Sequence, residues 1–272
     1  MQEDNIQAQD LLPPDLLADI DQRGLQFIRA TETDDFVNLA DDVSVPSWPE
    51  FMMHDEVANS NWAIMIETLG DFQFALLEKK SQRWVAVGNS IPIHWTRPLE
   101  NLPDTGWDWA LLSGVTATHP PNLLCAIAIQ ILPEMRGQGL SRLMIQIMKA
   151  LGGKAGFSQL VAPIRPNKKT DYPLLEMETY LGWQKGGEPF DPWIRVHQRL
   201  GARFLKVCPD AMLIKGSVKE WESWTGLSFK SSGPYVVPGA LCPVKIDIEI
   251  DSGVYVEPNV WFVHDIQTKR PK

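Results

Sequence analysis

The chain has 272 residues, 44% of them hydrophobic and 22% charged, with a formal net charge of −9. This is the composition of a globular protein with ample length for a buried core. The acidic balance, with no Lys/Arg-rich block, argues against a nucleic-acid surface, and no apolar stretch approaches a membrane span.

The start, Met1-Gln2-Glu3-Asp4-Asn5, is acidic and lacks the basic and apolar regions of a signal peptide, so a cytoplasmic location is expected. Residues 1–13 read as a polar, frayed N-terminus, and 14–272 as one domain. Pro14-Asp15 opens a helix through Leu16, Leu17 and Ile20. Asp34 to Leu39 reads as a short helix, and Asn59 or Ser60 as the cap of another that ends near Gly70. Phe72 to Glu78 and Arg83 to Gly88 alternate as two strands across a polar turn. Residues 96–121, with Trp107 and Trp109 among Pro and Gly, read as an irregular insert.

Leu123 to Leu132 is the next strand, with Cys125, Ile127, Ile129 and Ile131 expected on one face. The run after it sets Leu140, Leu143, Met144, Ile147, Met148 and Leu151 at helical spacing, a core stripe. Gln159 to Ile164 is another strand, 168–190 an insert, and Pro192 to Leu200 a helix closed by Gly201. Arg203 to Val207 opens a β-rich end that carries an insert near 208–253 and finishes with Val254–Val256 and Val260–Val263. Asp247, Glu249 and Asp251 read as the solvated face of a strand.

The chemistry centres on Arg136-Gly137-Gln138-Gly139-Leu140-Ser141, a glycine loop between a strand and a helix. Unpaired N–H groups at the positive end of a helix dipole bind phosphate or pyrophosphate. The dinucleotide fingerprint fails, because Arg142 stands where its third glycine is required. A nucleoside-triphosphate loop fails too, because Leu140-Ser141 follow Gly139. Three cysteines at unrelated spacings give neither a disulfide framework nor a zinc site, and five histidines include no pair at metal-ligand spacing. No metal is expected.

In context the loop resembles the Arg/Gln-x-x-Gly-x-Gly/Ala motif of the GCN5-related N-acetyltransferase superfamily. Ser141 replaces the last small residue and is able to cap the helix through its hydroxyl. His197-Gln198-Arg199-Leu200-Gly201 is similar to that family's Tyr-x-x-Leu-Gly segment, with His197 at the Tyr position. Glu178 to Trp183 competes for the same register, but Arg203 to Val207 follows the later segment directly as the next strand.

The resemblance implies an α/β fold with a mixed, mostly antiparallel central sheet, flanking helices and an enlarged C-terminal β region. It implies that residues Arg136, Gly137, Gln138, Gly139, Leu140 and Ser141 hold the pyrophosphate of acetyl-CoA or another short acyl-CoA. Ile129 and Ile131 would bond the pantetheine chain, Asn167 would contact the coenzyme, and His197 would act as general acid. The acceptor would be an amine on a small molecule or an acyl carrier; a dimer is one candidate oligomeric state.

Many members of the family place a basic Glu on the strand before the loop. Leu124 to Ile131 carries no carboxylate, which leaves a water relay or Glu134 as the base. The missing carboxylate and His197 also resemble the acyltransferase-like domains of polyketide synthase loading modules, which decarboxylate malonyl-CoA with a His and a Thr. Thr170 and Asn167 are the nearest candidates for that Thr. A non-catalytic acyl-CoA-binding module is the remaining alternative.

Overall fold

A computed structural model describes residues 8–266. The described strands are β1 (Leu25–Arg29), β2 (Gln73–Glu78), β3 (Arg83–Ile93), β4 (Leu123–Ile131), β5 (Gln159–Ile164), β6 (Gln184–Lys185), β7 (Glu188–Pro189), β8 (Arg203–Gly216), β9 (Gly233–Tyr235), β10 (Val244–Asp247) and β11 (Ser252–Asp265). The α-helices are α1 (Ala8–Leu11), α2 (Pro14–Gln22), α3 (Phe36–Ser44), α4 (Glu56–Thr68), α5 (Gly106–Val115), α6 (Leu140–Lys154), α7 (Met177–Leu181), α8 (Pro192–Arg199) and α9 (Val218–Thr225).

Nine strands form one sheet in the order β1-β2-β3-β4-β5-β11-β10-β9, with β8 also paired to β11. Every pairing in it is antiparallel except β4 with β5. Helices α5 and α6 cover opposite faces. The mixed, mostly antiparallel sheet with flanking helices is the fold class expected from the sequence, and β9 and β10 extend it at the C-terminal end.

The strand expected to carry four apolar residues on one face does not do so. The β3–β4 register shifts between Asn89 and Ser90: Ser90 faces Ala126 and Asn89 faces Ala128, leaving Ile127 as an extra residue. One extra residue reverses the alternation. Cys125 pairs with Ile91, whose side chain touches Gly114 of α5, whereas Ile129 pairs with Gly88 beneath Met144 of α6. Cys125 and Ile129 therefore lie on opposite faces. The bulge leaves the Ile127 carbonyl without a ladder partner, and the Trp107 indole N–H of α5 donates to it at 2.8 Å.

Other local expectations change for identifiable reasons. Of the expected N-terminal segment, residues 1–7 lie outside the described residues; Ala8–Leu11 form α1 and Leu12 is buried at 3% exposure. Strand β1 was not foreseen: it is a short edge strand, and its Phe27 and Leu25 are buried against β2. The cap of α4 is Asp55, which accepts from the Ala58 N–H at 2.7 Å, in place of Asn59 or Ser60. The insert near 96–121 holds α5, and the one at 168–190 holds α7 and the β6–β7 hairpin. Asp247 ends β10 and Asp251, at φ +49°, closes the turn into β11, so the three acidic residues do not share a strand face. Residues 254–263 belong to one long strand.

Candidate active site

Strands β4 and β5 pair at only two positions, Leu124 with Leu160 and Cys125 with Val161. Past that point β4 follows β3 towards the glycine loop, while β5 turns to β11. The backbone edge of Ala126 to Ile131 facing β5 is thereby unpaired, and Ile129 and Ile131 stand along this gap. An extended amide-bearing chain matches such an edge.

At the loop end of the gap, Gly137 and Gly139 hold φ of +78° and +80°. This left-handed backbone is cheap only for glycine. The Arg136 Nε donates to the Ile131 carbonyl at 3.2 Å, and Gln138 Nε2 to the Glu134 carbonyl at 3.2 Å. These side chains fold back and pin the loop, while the N–H groups of Gly137, Gln138 and Gly139 find no acceptor among the described residues. Leu140 starts α6 and buries its side chain; the helix cap is Gly139. Ser141 makes no capping bond, because the helix begins one residue before it. The arrangement fits an anionic ligand seated on N–H groups and a helix dipole.

Sequence reasoning did not find Arg23, just past the end of α2. Its Nη1 donates to the Gln138 carbonyl at 2.9 Å and its Nε to Asp19 at 2.7 Å. Glu134 is exposed and pairs with Arg83 at 3.4 Å. Asn167, three residues past β5, is exposed at the open end of the gap, and its side-chain amide bonds no described residue. Thr170 donates to the Asn167 carbonyl at 3.3 Å.

His197 lies on α8, which leads directly into β8 through Gly201 at φ +83°. Its ring is 3% exposed and packs edge-on against Trp193. His197 Nδ1 and His264 Nε2 lie 2.9 Å apart, and the two outer nitrogens, His197 Nε2 and His264 Nδ1, are both buried with no hydrogen-bond partner among the described residues. One ring donates and the other accepts across this contact. Burial, and secondarily His264, holds the His197 imidazole well below its ordinary range, so the ring is neutral.

On the α5 face, next to the bulge, the sequence reading missed a pair of carboxyl groups. Asp55 is fully buried and Asp108 follows Trp107, the residue that bonds the Ile127 carbonyl. The two groups interact electrostatically, and Asp55 Oδ2 and Asp108 Oδ1 are each buried with no hydrogen-bond partner among the described residues. Asp108 accepts from the Leu213 N–H at 3.1 Å through its other oxygen. Burial, then the Asp55 charge, pushes Asp108 up to about 8; burial raises Asp55 as well. Asp108 therefore keeps its proton at neutral pH beside Asp55. Nearby, buried Glu257 takes Arg165 Nε at 2.9 Å and the Tyr255 hydroxyl at 2.8 Å, so its charge is neutralised. The carboxyl pair has no such cation among the described residues.

Other histidines and tyrosines make packing contacts. His54 stacks on Trp224 at 4.1 Å, and the His94 ring bonds the Pro120 carbonyl at 2.7 Å. Tyr172 and Tyr180 belong to an aromatic cluster with Trp183 and Phe190. No group of three or more potential metal ligands occurs among the described residues. No helix among them is long and apolar enough to cross a membrane.

No protein-family model matches the chain. It is 34% identical over 249 residues to arginine N-acetyltransferase avaD of Aspergillus versicolor, spanning 80% of this chain and 85% of that protein. Its fold is similar to the loading GNATL domain of CurA from Lyngbya majuscula, with a TM-score of 0.57, 22% identity, and 89% and 97% of the two chains covered. It is also similar to the GphF GNAT-like decarboxylase solved with isobutyryl-CoA, with a TM-score of 0.55, 14% identity, and 89% and 99% covered. The glycine loop, the gap between β4 and β5 and the extent of this relationship make the chain a member of the GCN5-related N-acetyltransferase superfamily, an acyl-CoA-dependent acyltransferase.

Proposed function

We propose that the enzyme moves an acetyl group from acetyl-CoA to an amine of a small cationic acceptor of the arginine type. The carrying observation is the Asp55–Asp108 pair, which supplies beside the gap the carboxylate that β4 lacks. With one proton on Asp108 the two groups hold a net negative charge, which suits a cationic acceptor. A carboxyl raised to about 8 is matched to proton exchange with an ammonium at neutral pH. The relative with 34% identity is named for arginine, which supports the same acceptor class.

In this reading the loop from Arg136 to Ser141 seats the pyrophosphate, Ile129 and Ile131 border the pantetheine, and Asn167 lies beside it. The carboxyl pair takes one proton from the acceptor ammonium and passes it to solvent. The amine attacks the thioester carbonyl; the C–N bond forms, the C–S bond breaks, and the second N–H proton goes to the departing thiolate. His197, neutral and paired with His264, is the candidate to hand that proton to the thiolate from Nε2.

The test is thiol release from acetyl-CoA with arginine, ornithine and citrulline as acceptors. Turnover with arginine that falls at least about tenfold with neutral citrulline supports the reading, a discrimination of the size a lost charged contact gives. Conversion of malonyl-CoA to acetyl-CoA with no acceptor present would replace it with the decarboxylase reading.

A further inference from the structure

We propose that Arg23 is a cosubstrate-binding residue, an arginine carried by the N-terminal helix to the pyrophosphate of coenzyme A. The inference rests on the reading of the glycine loop as the pyrophosphate site. A guanidinium has five N–H donors in a planar fork. One goes to Asp19 and one to the Gln138 carbonyl, leaving three unpaired among the described residues. The free end of the fork faces the loop: Nη1 and Nη2 lie 3.8 and 3.9 Å from the point where a Cβ on Gly139 would stand. The bond to the Gln138 carbonyl fixes the fork at the loop whose N–H groups are themselves unclaimed.

The chain offers an electrostatic reason for this placement. A protein of net charge −9 repels a polyphosphate at long range, and a positive charge fixed at the anion site opposes that locally. Arg136, the arginine native to the motif, turns its Nε back to the Ile131 carbonyl. Arg23 is the guanidinium that the fold adds at Gln138 and Gly139. Its partner Asp19 holds Nε, the nitrogen behind the fork, and leaves Nη2 unengaged.

The experiment is calorimetric titration of the full chain, native and Arg23→Ala and Arg23→Lys, with CoA and with pantetheine, at low and at moderate salt. The native chain should bind CoA far more tightly than pantetheine. Arg23→Ala should weaken CoA about tenfold at low salt, with pantetheine and the melting temperature unchanged. The loss should shrink as salt rises, and Arg23→Lys should fall between the two. Arg23→Ala binding CoA within about twofold of native would overturn the inference, as would a loss of equal size at both salt levels, the mark of a buttress for the loop. If the native chain itself fails to prefer CoA over pantetheine, the loop reading fails instead.

Discussion

At the scale of single residues, Asp108 sets function against stability. Its carboxyl is raised from 3.8 to about 8, chiefly by burial and then by Asp55. An acid whose pKa is raised by folding stabilises below its unfolded value and loses that contribution as pH rises through the folded value. At pH 7 the unfolded chain has released this proton and the folded chain retains it, so the pair costs stability there. Asp108→Asn should therefore raise the melting temperature at pH 7, by about 2–4 °C for each kcal/mol relieved. The same variant should lower kcat by about 10²-fold or more if the pair exchanges the acceptor's proton. A calorimetric scan and a thiol-release assay read the two effects, and a variant that is less stable and fully active contradicts both.

The histidine pair gives a second pH dependence of opposite position. His264 is lowered from 6.5 to about 4, and His197 lies well below 6.5 as well. The unfolded chain takes up these protons first, so stability should fall as pH drops from about 6.5 towards 4. Denaturant midpoints across that range should show the decline, and His264→Gln should flatten it. None of these residues was legible as a pair. Asp55 with Asp108 and His197 with His264 meet through the tertiary fold, and no local spacing announces such a contact. The register of His197 on Leu200-Gly201 was readable, whereas its partner His264 lies 67 residues on, in β11.

At the scale of elements, the sequence showed the β4–loop–α6 unit clearly because its signals are local: alternation, two glycines, then an uninterrupted helical stripe. The bulge at Ile127 was hidden for the same reason that the alternation was persuasive. Isoleucine fits either face, so one extra residue leaves the pattern of letters intact. Helix α5 was missed because Trp107, Trp109 and the glycines mask its periodicity; its residues face α4, β3 and β8 at once. Two glycines test these elements. Gly139→Ala, at φ +80°, should cost about 1 kcal/mol of stability and weaken CoA binding by altering the loop N–H directions. Gly88→Ala would bring a Cβ within 2.5 Å of the Phe74 ring and 3.0 Å of Met144. Such overpacking between sheet and α6 should cost about 1–3 kcal/mol, read by urea denaturation. An unchanged midpoint would mean that α6 does not press on β3 as described.

At the scale of the whole molecule, the sheet is covered on both faces around one gap. Where β4 and β5 part, the glycine loop and α6 follow β4, Asn167 follows β5, and α5, with Asp108, covers the other face. The long β11 extends the order: it pairs with β5 and β8 near the gap, then with β10, and buries Tyr255 and Glu257 behind Arg165. Fold class and cosubstrate were legible in the sequence because they rest on one continuous segment. The carboxyl pair was not, because Asp55 caps α4 and Asp108 lies in α5, far apart in the chain. The central claim, acetyl transfer to an amine nitrogen, is tested most directly with acetyl-CoA deuterated in the acetyl group. After incubation with the enzyme and arginine, mass spectrometry should find the label on an acceptor nitrogen in one-to-one proportion with free thiol. Label recovered as acetate, or as unreacted acetyl-CoA that remains bound to the protein, would contradict the account.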